Sequence, residues 1–354
     1  MSFHELSHAR IVGIAACVPQ QTVSNSAYTD VYTEKELKKI IKSTGIQQRR
    51  FASETECGSD FAFAAAEKLI RDLMISRDSI DLLIYLTQTP DYLLIPPTSC
   101  ILQDRLRLSR KTGAFDINMN CSGFIYALST AFAFASATEG RVLLCCGETL
   151  SKVFSAKDKT TSLLFGDGGA AVLIDYTAEK NKSFFSLNTD GGNYSAIIIP
   201  EGGYRNPITE QSLIPIEYED GSVRQMNQGC MDGMRVFDFT QNVVIPDIRE
   251  LFNASRITKD DITYFFFHQA NKFMINLFAA ELDIPREKCP ISLDRFGNTS
   301  TVSIPLGIVS DFGKDATRDL GKVIFSGFGG GLSWGTTCLD LNDCYIASLQ
   351  EFEP

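Results

Sequence analysis

The feature that most limits what this chain can fold into is a repeat inside it. Residues 75–85 read ISRDSIDLLIY and residues 257–267 read ITKDDITYFFF, 182 positions apart. Residues 140–147, GRVLLCCG, and 321–328, GKVIFSGF, match at an offset of 181. The helical stretches ahead of the first pair echo as well, IRDLM at 70–74 and IRELF at 248–252. Segments that share one offset, about half the chain length, point to a duplication. Within each half an apolar helical stretch, such as Phe61 to Leu73, leads through a short turn into a continuous apolar strand, 81–86 or 262–267. Strands apolar on both faces suit the centre of a sheet covered by helices on both sides. The expectation is an α/β chain of two similar halves, 1–180 and 181–354, sharing a helix layer and packed as one unit. A chain of 354 residues with 44% hydrophobic content can bury such a core. Residues 190–232, rich in Gly, Asn, Pro, Glu and Gln, read as loop and insertion near a substrate entrance.

Charge and cysteine usage remove several function classes. A net charge of −10 repels nucleic acid and anionic membranes, so neither is expected as a partner. The ten cysteines form no CxxC pair, and two of the three histidines, His4 and His8, lie at the very start. No metal site is expected on that spacing. The first ten residues carry no apolar signal core, and no apolar run approaches the ~20 residues that span a bilayer. A reduced, cytoplasmic thiol protein is expected.

The residues able to carry chemistry sit at the ends of the apolar strands. Cys121 follows the strand-like Ala114–Ile117 and the turn Asn118–Met119–Asn120. The next stretch has no charge until Glu139, so a helix there is buried on most sides, with Asn120 as its cap and Gly140 as its stop. In the first turn of such a helix the dipole and free N–H groups favour a thiolate. An inert buried cysteine fits that position equally well. His268 stands where strand 262–267 gives way to a helical stretch, 269–282, the place in the second half that Cys121 holds in the first. Pseudo-symmetry would bring the two strand ends together; a capping or core histidine is the alternative. Asn298 lies at the turn 296–299 ahead of an apolar helical run, where taken alone a plain helix cap is the better reading. The glycines of GFGGG, 327–331, let backbone N–H groups approach a ligand as an oxyanion hole requires, or simply make a tight turn. GDGGAA at 166–171 has dinucleotide-like spacing but enters a strand-like run, AAVLID, so no dinucleotide site is expected.

Five segments taken together resemble one family. They are DINMNCSGFIYAL around Cys121, LLFGDGGAAVLI at 163–174, FFHQAN at 266–271, DRFGNTST at 294–301 and GFGGGLSWG at 327–335. In this order, and over nearly the whole chain, they resemble β-ketoacyl-ACP synthase III and its relatives among the thiolase-like condensing enzymes. The resemblance implies a thiolase-like five-layered αβαβα fold built from two duplicated βα halves, in agreement with the repeat. It implies a triad of Cys121, His268 and Asn298, and an oxyanion hole made by the backbone N–H groups of Cys121 and Gly330. It implies a homodimer in which the loop TPDYLLIPP, 89–97, carries Ile95 to the neighbour's acyl pocket. No cofactor is expected beyond the substrates, acyl-CoA or acyl-ACP and malonyl-ACP. Cys121 would hold an acyl group as a thioester and condense it with a malonyl thioester, with loss of carbon dioxide. Transfer of the acyl group to an oxygen or nitrogen nucleophile is the alternative, and a non-catalytic partner subunit a third. The sequence also departs from the family pattern. Lys39 and Ser43 stand where a Trp and an Arg commonly grip the adenine of CoA, and the only tryptophan is Trp334. HQANKF, with Lys272 and Phe273, stands where HQANLR is frequent. These changes imply altered handling of the donor, with an acyl-carrier protein expected in preference to free CoA thioesters, and leave a specialised branch of fatty-acid or polyketide-like lipid metabolism at least as good a reading as the housekeeping start of fatty-acid synthesis.

Overall fold

The computed structural model describes residues 2–313 and 319–353. Its frame is two sheets with helices between and outside them. The first sheet runs in the order β17 (Tyr345–Ile346), β2 (Ala9–Val18), β8 (Gly168–Tyr176), β7 (Arg141–Glu148), β5 (Leu82–Leu86), β6 (Gly113–Ile117), and β18 (Gln350–Glu351) also pairs with β2. The second runs β1 (Ser2–Leu6), β9 (Ser183–Thr189), β16 (Ser333–Asp340), β15 (Lys322–Gly329), β14 (Tyr264–Phe267). Three short pairs decorate this frame: β3 (Thr22–Ser24) with β4 (Gln48–Arg50), β10 (Ile197–Ile198) with β13 (Cys230–Met231), and β11 (Ile216–Glu217) with β12 (Val223–Arg224). The last two pairs lie in the 190–232 insertion.

The repeat in the sequence is a repeat of strand register. β5 runs parallel to β7 with Leu82 beside Val142, and β14 runs parallel to β15 with Tyr264 beside Val323. These are the residues that the offsets of 182 and 181 equate. In each half the next strand is antiparallel, β8 on β7 and β16 on β15. The termini cross over: β1 completes the second sheet and β17 and β18 extend the first.

Five layers result. Helices α2 (Gly58–Asp72) and α3 (Thr98–Arg105) cover the outer face of the first sheet, through Phe61, Ala65, Leu69 and Leu102. Helices α6 (Ile245–Ser255) and α7 (Lys272–Glu281) cover the outer face of the second. Between the sheets lie α4 (Gly123–Thr138) and α9 (Ser303–Phe312). The remaining helices, α1 (Glu34–Thr44), α5 (Gly233–Phe239) and α8 (Leu293–Phe296), lie outside this arrangement. Strand residues alternate between cores, as the two-residue period of a strand demands. Phe266 and Phe325 face the middle layer, whereas Phe265, Phe267 and Ile324 face the outer helices. The absence of charge in α4 follows from its place. Phe124 meets Phe325 of the second sheet with ring centroids 6.0 Å apart, and Phe132 meets Phe185 at 5.6 Å.

Phe124 is 1% exposed and bridges the middle layer. Phe124→Ala should therefore cost about 3–5 kcal/mol of stability, read by urea denaturation. A loss under about 1 kcal/mol would be inconsistent with a helix packed between two sheets.

Candidate active site

Cys121 sits in a turn ahead of α4. The Asn120 carbonyl accepts the Gly123 N–H at 2.6 Å, so the helix begins at Gly123, two residues later than the sequence suggests. Asn120 caps nothing, because its side chain is turned toward the far half: a Cβ on Gly330 would fall 2.0 Å from Asn120 Nδ2. A Cβ on Gly329 would fall 2.8 Å from Cys121 Cβ. Only glycine lets β15 and its following turn pass this close to the cysteine.

His268 follows the last residue of β14, and its N–H continues the strand ladder to Ser326 O at 2.8 Å. The imidazole is 2% exposed, with Phe328 edge-on at 5.3 Å and Ser303 Oγ 2.8 Å from Nδ1. Ser303 Oγ accepts the Gln269 N–H at 3.4 Å, so its own proton is available to Nδ1. With Ser303 donating to Nδ1, the ring proton would stand on Nε2. The helix after His268 starts at Lys272, not 269, because Asn271 caps it by accepting the Met274 N–H.

Asn298 is pinned to the other half through its backbone. Its N–H donates to Leu164 O at 2.9 Å, and its carbonyl accepts the Gly166 N–H at 3.0 Å. Its Oδ1 accepts the Ser300 N–H at 2.9 Å. The acceptor end of the amide is thus engaged by backbone, and Nδ2 remains as a donor. Asn298 is not the cap of α9, which starts at Ser303 after a 3₁₀ turn over Ser300–Val302.

Cys121, His268, Asn298 and Gly330 line one cavity of about 130 Å³. Its remaining wall is mostly apolar and includes Leu150, Phe154, Phe165 and Val236. Ile95 is 82% exposed at the tip of the 89–97 loop, outside that wall. Lys272 and Phe273 are exposed at the start of α7, also outside it, while Ala270, Asn271 and Met274 beside them line it. Among the described residues no group of three or more His, Cys, Asp or Glu is placed to hold a metal ion.

Burial sets the charge states. It pushes the Cys121 thiol up to about 11, against a hydrogen bond from Ser300, whose Oγ lies 3.4 Å from Sγ. It pushes His268 down to about 3, with the Ser300 backbone pulling weakly the other way. At neutral pH the pair is therefore a thiol beside a neutral imidazole, not a thiolate–imidazolium pair. The dipole argument from the sequence is outweighed because the helix starts beyond Cys121 and the sulfur is desolvated. Sequence reasoning also missed Gln88, Glu148, Ser300 and Ser303, which surround the pair. Glu148 left one signal, an acidic residue closing the apolar strand RVLLCCGE.

A neutral His268 predicts that condensation carries no imidazole limb between about pH 5 and 8. A limb near the ordinary histidine range that disappears in His268→Gln, in the rate profile against pH, would contradict the assignment.

Comparison with known proteins finds matches along nearly the whole chain. Residues 115–191 match the family described as 3-oxoacyl-[acyl-carrier-protein (ACP)] synthase III, and residues 252–341 match its C-terminal part. A β-ketoacyl-[acyl-carrier-protein] synthase III of Aliarcobacter butzleri is 34% identical over 93% of this chain and 96% of its own length. A putative 3-oxoacyl-[acyl-carrier-protein] synthase 3 of Campylobacter jejuni is 33% identical over 96% of each chain. The crystal structure of a 3-oxoacyl-(acyl-carrier protein) synthase from Burkholderia xenovorans superposes with a TM-score of 0.92 at 32% identity, covering 99% of both chains.

Proposed function

The chain belongs to the 3-oxoacyl-[acyl-carrier-protein] synthase III family, and from that membership we propose how its residues divide the work. The reaction is decarboxylative condensation, and the protein is an acyltransferase with the thiolase-like fold. Transfer to an oxygen or nitrogen nucleophile is not favoured, because relatives at about a third identity are named for condensation.

The reading is supported by the donors left at the cavity that Cys121 lines: the Asn298 amide N–H groups, whose Oδ1 is engaged by Ser300 N–H, and an N–H of the neutral His268 ring. In the first half-reaction Cys121 Sγ attacks the carbonyl carbon of an acyl thioester, and the thiol proton leaves with the departing carrier thiol. The N–H groups of Cys121 and Gly330 would hold the tetrahedral oxyanion, each such donor being worth about 3–4 kcal/mol. In the second half-reaction the malonyl carboxylate leaves as carbon dioxide, and its electron pair moves into the thioester as an enolate. The Asn298 amide cannot act as a base, but its N–H groups and His268 Nε2–H suit the enolate oxygen. The enolate carbon then attacks the acyl carbonyl carbon on Cys121, the sulfur departs as a thiolate when the tetrahedral intermediate collapses, and it takes a proton from water to restore the thiol.

Surface features support a reading of the carrier and the oligomer. Tyr92, Leu93, Leu94 and Ile95 are all exposed on one loop, which suits burial against a second copy of the chain. An acidic carrier protein needs a basic landing point on this chain of net charge −10. Lys152 is occupied by the carbonyls of Glu54 and Glu56, and Lys159 lies 3.9 Å from Glu36. Lys157 and Lys272 are the exposed candidates, and Lys272 lies just beyond the wall of the cavity. A reducing, cytoplasmic setting fits ten unpaired cysteines.

His268→Ala and Asn298→Ala should slow carbon dioxide release from malonyl-ACP by roughly 10²–10³-fold. Self-acylation of Cys121, followed by intact mass, should fall less than about tenfold in both. Equal losses in the two half-reactions would contradict the division of labour. Charge reversal at Lys272 should slow transfer from acyl-ACP at low salt more than at high salt, since surface attraction is screened. A salt-indifferent effect in stopped-flow would exclude Lys272 from docking.

A further inference from the structure

Behind the nucleophile lies a carboxylate that the condensation chemistry does not use. Glu148 closes β7, is 0% exposed, and collects four donors. Gln88 N–H and Thr89 Oγ1 reach Oε2 at 3.2 and 3.1 Å; Gln88 Nε2 and Thr301 Oγ1 reach Oε1 at 3.4 and 2.9 Å. Gln88 Nε2 also donates to Ser300 Oγ at 2.8 Å, and Ser300 Oγ lies 3.4 Å from Cys121 Sγ. Three segments are tied here: the chain after β5, the end of β7, and the turn after Asn298.

The direction of this chain of donors follows from what each group can do. An ionised carboxylate only accepts, so it holds the Gln88 amide with its NH₂ toward Glu148 and Ser300. That NH₂ only donates, so Ser300 Oγ accepts from it and its own proton is left for the sulfur. We propose that Glu148 is a positioning residue for the nucleophile: through Gln88 it orients the Ser300 hydroxyl to donate to Cys121 Sγ as the sulfur gains negative charge. Without the carboxylate, Gln88 can turn its oxygen to Ser300 and draw that proton away. The inference rests on Cys121 being the nucleophile.

Glu148 has a second effect of opposite sign, since its charge disfavours a thiolate. Of the two, the Ser300 hydrogen bond lowers the thiol more than the Glu148 charge raises it. The titratable groups facing Glu148 are Cys121, Tyr85 of β5 and Cys146 of β7, and His268 faces Cys121 across the cavity. Among the described residues no lysine or arginine forms an ion pair with Glu148. Burial without a cation pushes Glu148 up to about 7. Above that value the carboxylate is acceptor-only and the relay is set; below it the protonated acid gives up an acceptor site and the direction relaxes.

The test reads the thiol itself, so it can fail while the condensation mechanism stands. Iodoacetamide alkylation of Cys121 is followed by peptide mapping across neutral pH in the wild type, Ser300→Ala, Glu148→Gln and the double variant. Well above pH 7, Ser300→Ala should slow alkylation about tenfold or more relative to wild type, and well below it less than about threefold. In the Glu148→Gln background the effect of Ser300→Ala should be small at every pH, the non-additivity expected of one coupled unit. A Ser300→Ala effect that is the same at all pH values, or equal in both backgrounds, overturns the proposal. The wild-type and Ser300→Ala comparison leaves Glu148 unchanged, so the test holds even where Glu148→Gln does not fold.

Discussion

The site depends on one close approach, that of the β15 backbone to Cys121. A side chain on Gly329 would meet Cys121 Cβ at 2.8 Å, and one on Gly330 would meet Asn120 Nδ2 at 2.0 Å. Through this contact the strand end of the second half reaches the nucleophile of the first. Gly330, His268 and Asn298 then line the same cavity as Cys121. The duplicated register supplies the rest of the alignment, because β5–β7 and β14–β15 deliver equivalent strand ends to the same level. Asn298 adds a second tie between the halves, held on both backbone sides by Leu164 and Gly166.

Neutrality is the second theme of the site. A desolvated thiol, a desolvated neutral imidazole and an amide present no fixed charge of their own to the substrate. Condensation passes through an oxyanion and an enolate, both negative, and neutral donors stabilise each without the desolvation cost of a buried cation. A thiolate–imidazolium pair would favour the first half-reaction but would require two charges to be buried at the resting site. Glu148 is a buried acid close by, and the same desolvation raises it to about 7.

The sequence disclosed the frame well because strands buried on both faces leave continuous apolar runs, and the repeat doubled that signal. It placed Cys121, His268 and Asn298 at strand ends and turns, and the structure brings them to one cavity. It misplaced the start of α4, because the Asn120 side chain lies against Gly330 of the far half instead of capping the helix. Nothing local in the sequence could have found that contact. The same holds for Ser300, Ser303 and Gln88: serines and glutamines are common, and their meaning comes only from partners 35 to 212 residues away in the chain. The thiol's charge state was misjudged for a related reason, since desolvation is a property of the assembled cavity and the helix dipole a property of one segment. Tyr92 to Ile95, an apolar run within TPDYLLIPP, are exposed on the 89–97 loop.

The most direct test of the account is a single-turnover chase. Enzyme acylated with a labelled donor is isolated, the acyl group is located by peptide mapping, and malonyl-ACP is then added. The account predicts label on Cys121 alone, and its loss from the protein in step with release of one carbon dioxide per acyl group and formation of a 3-oxoacyl-ACP. Label on another cysteine, or discharge of Cys121 to a product without carbon dioxide release, would contradict it.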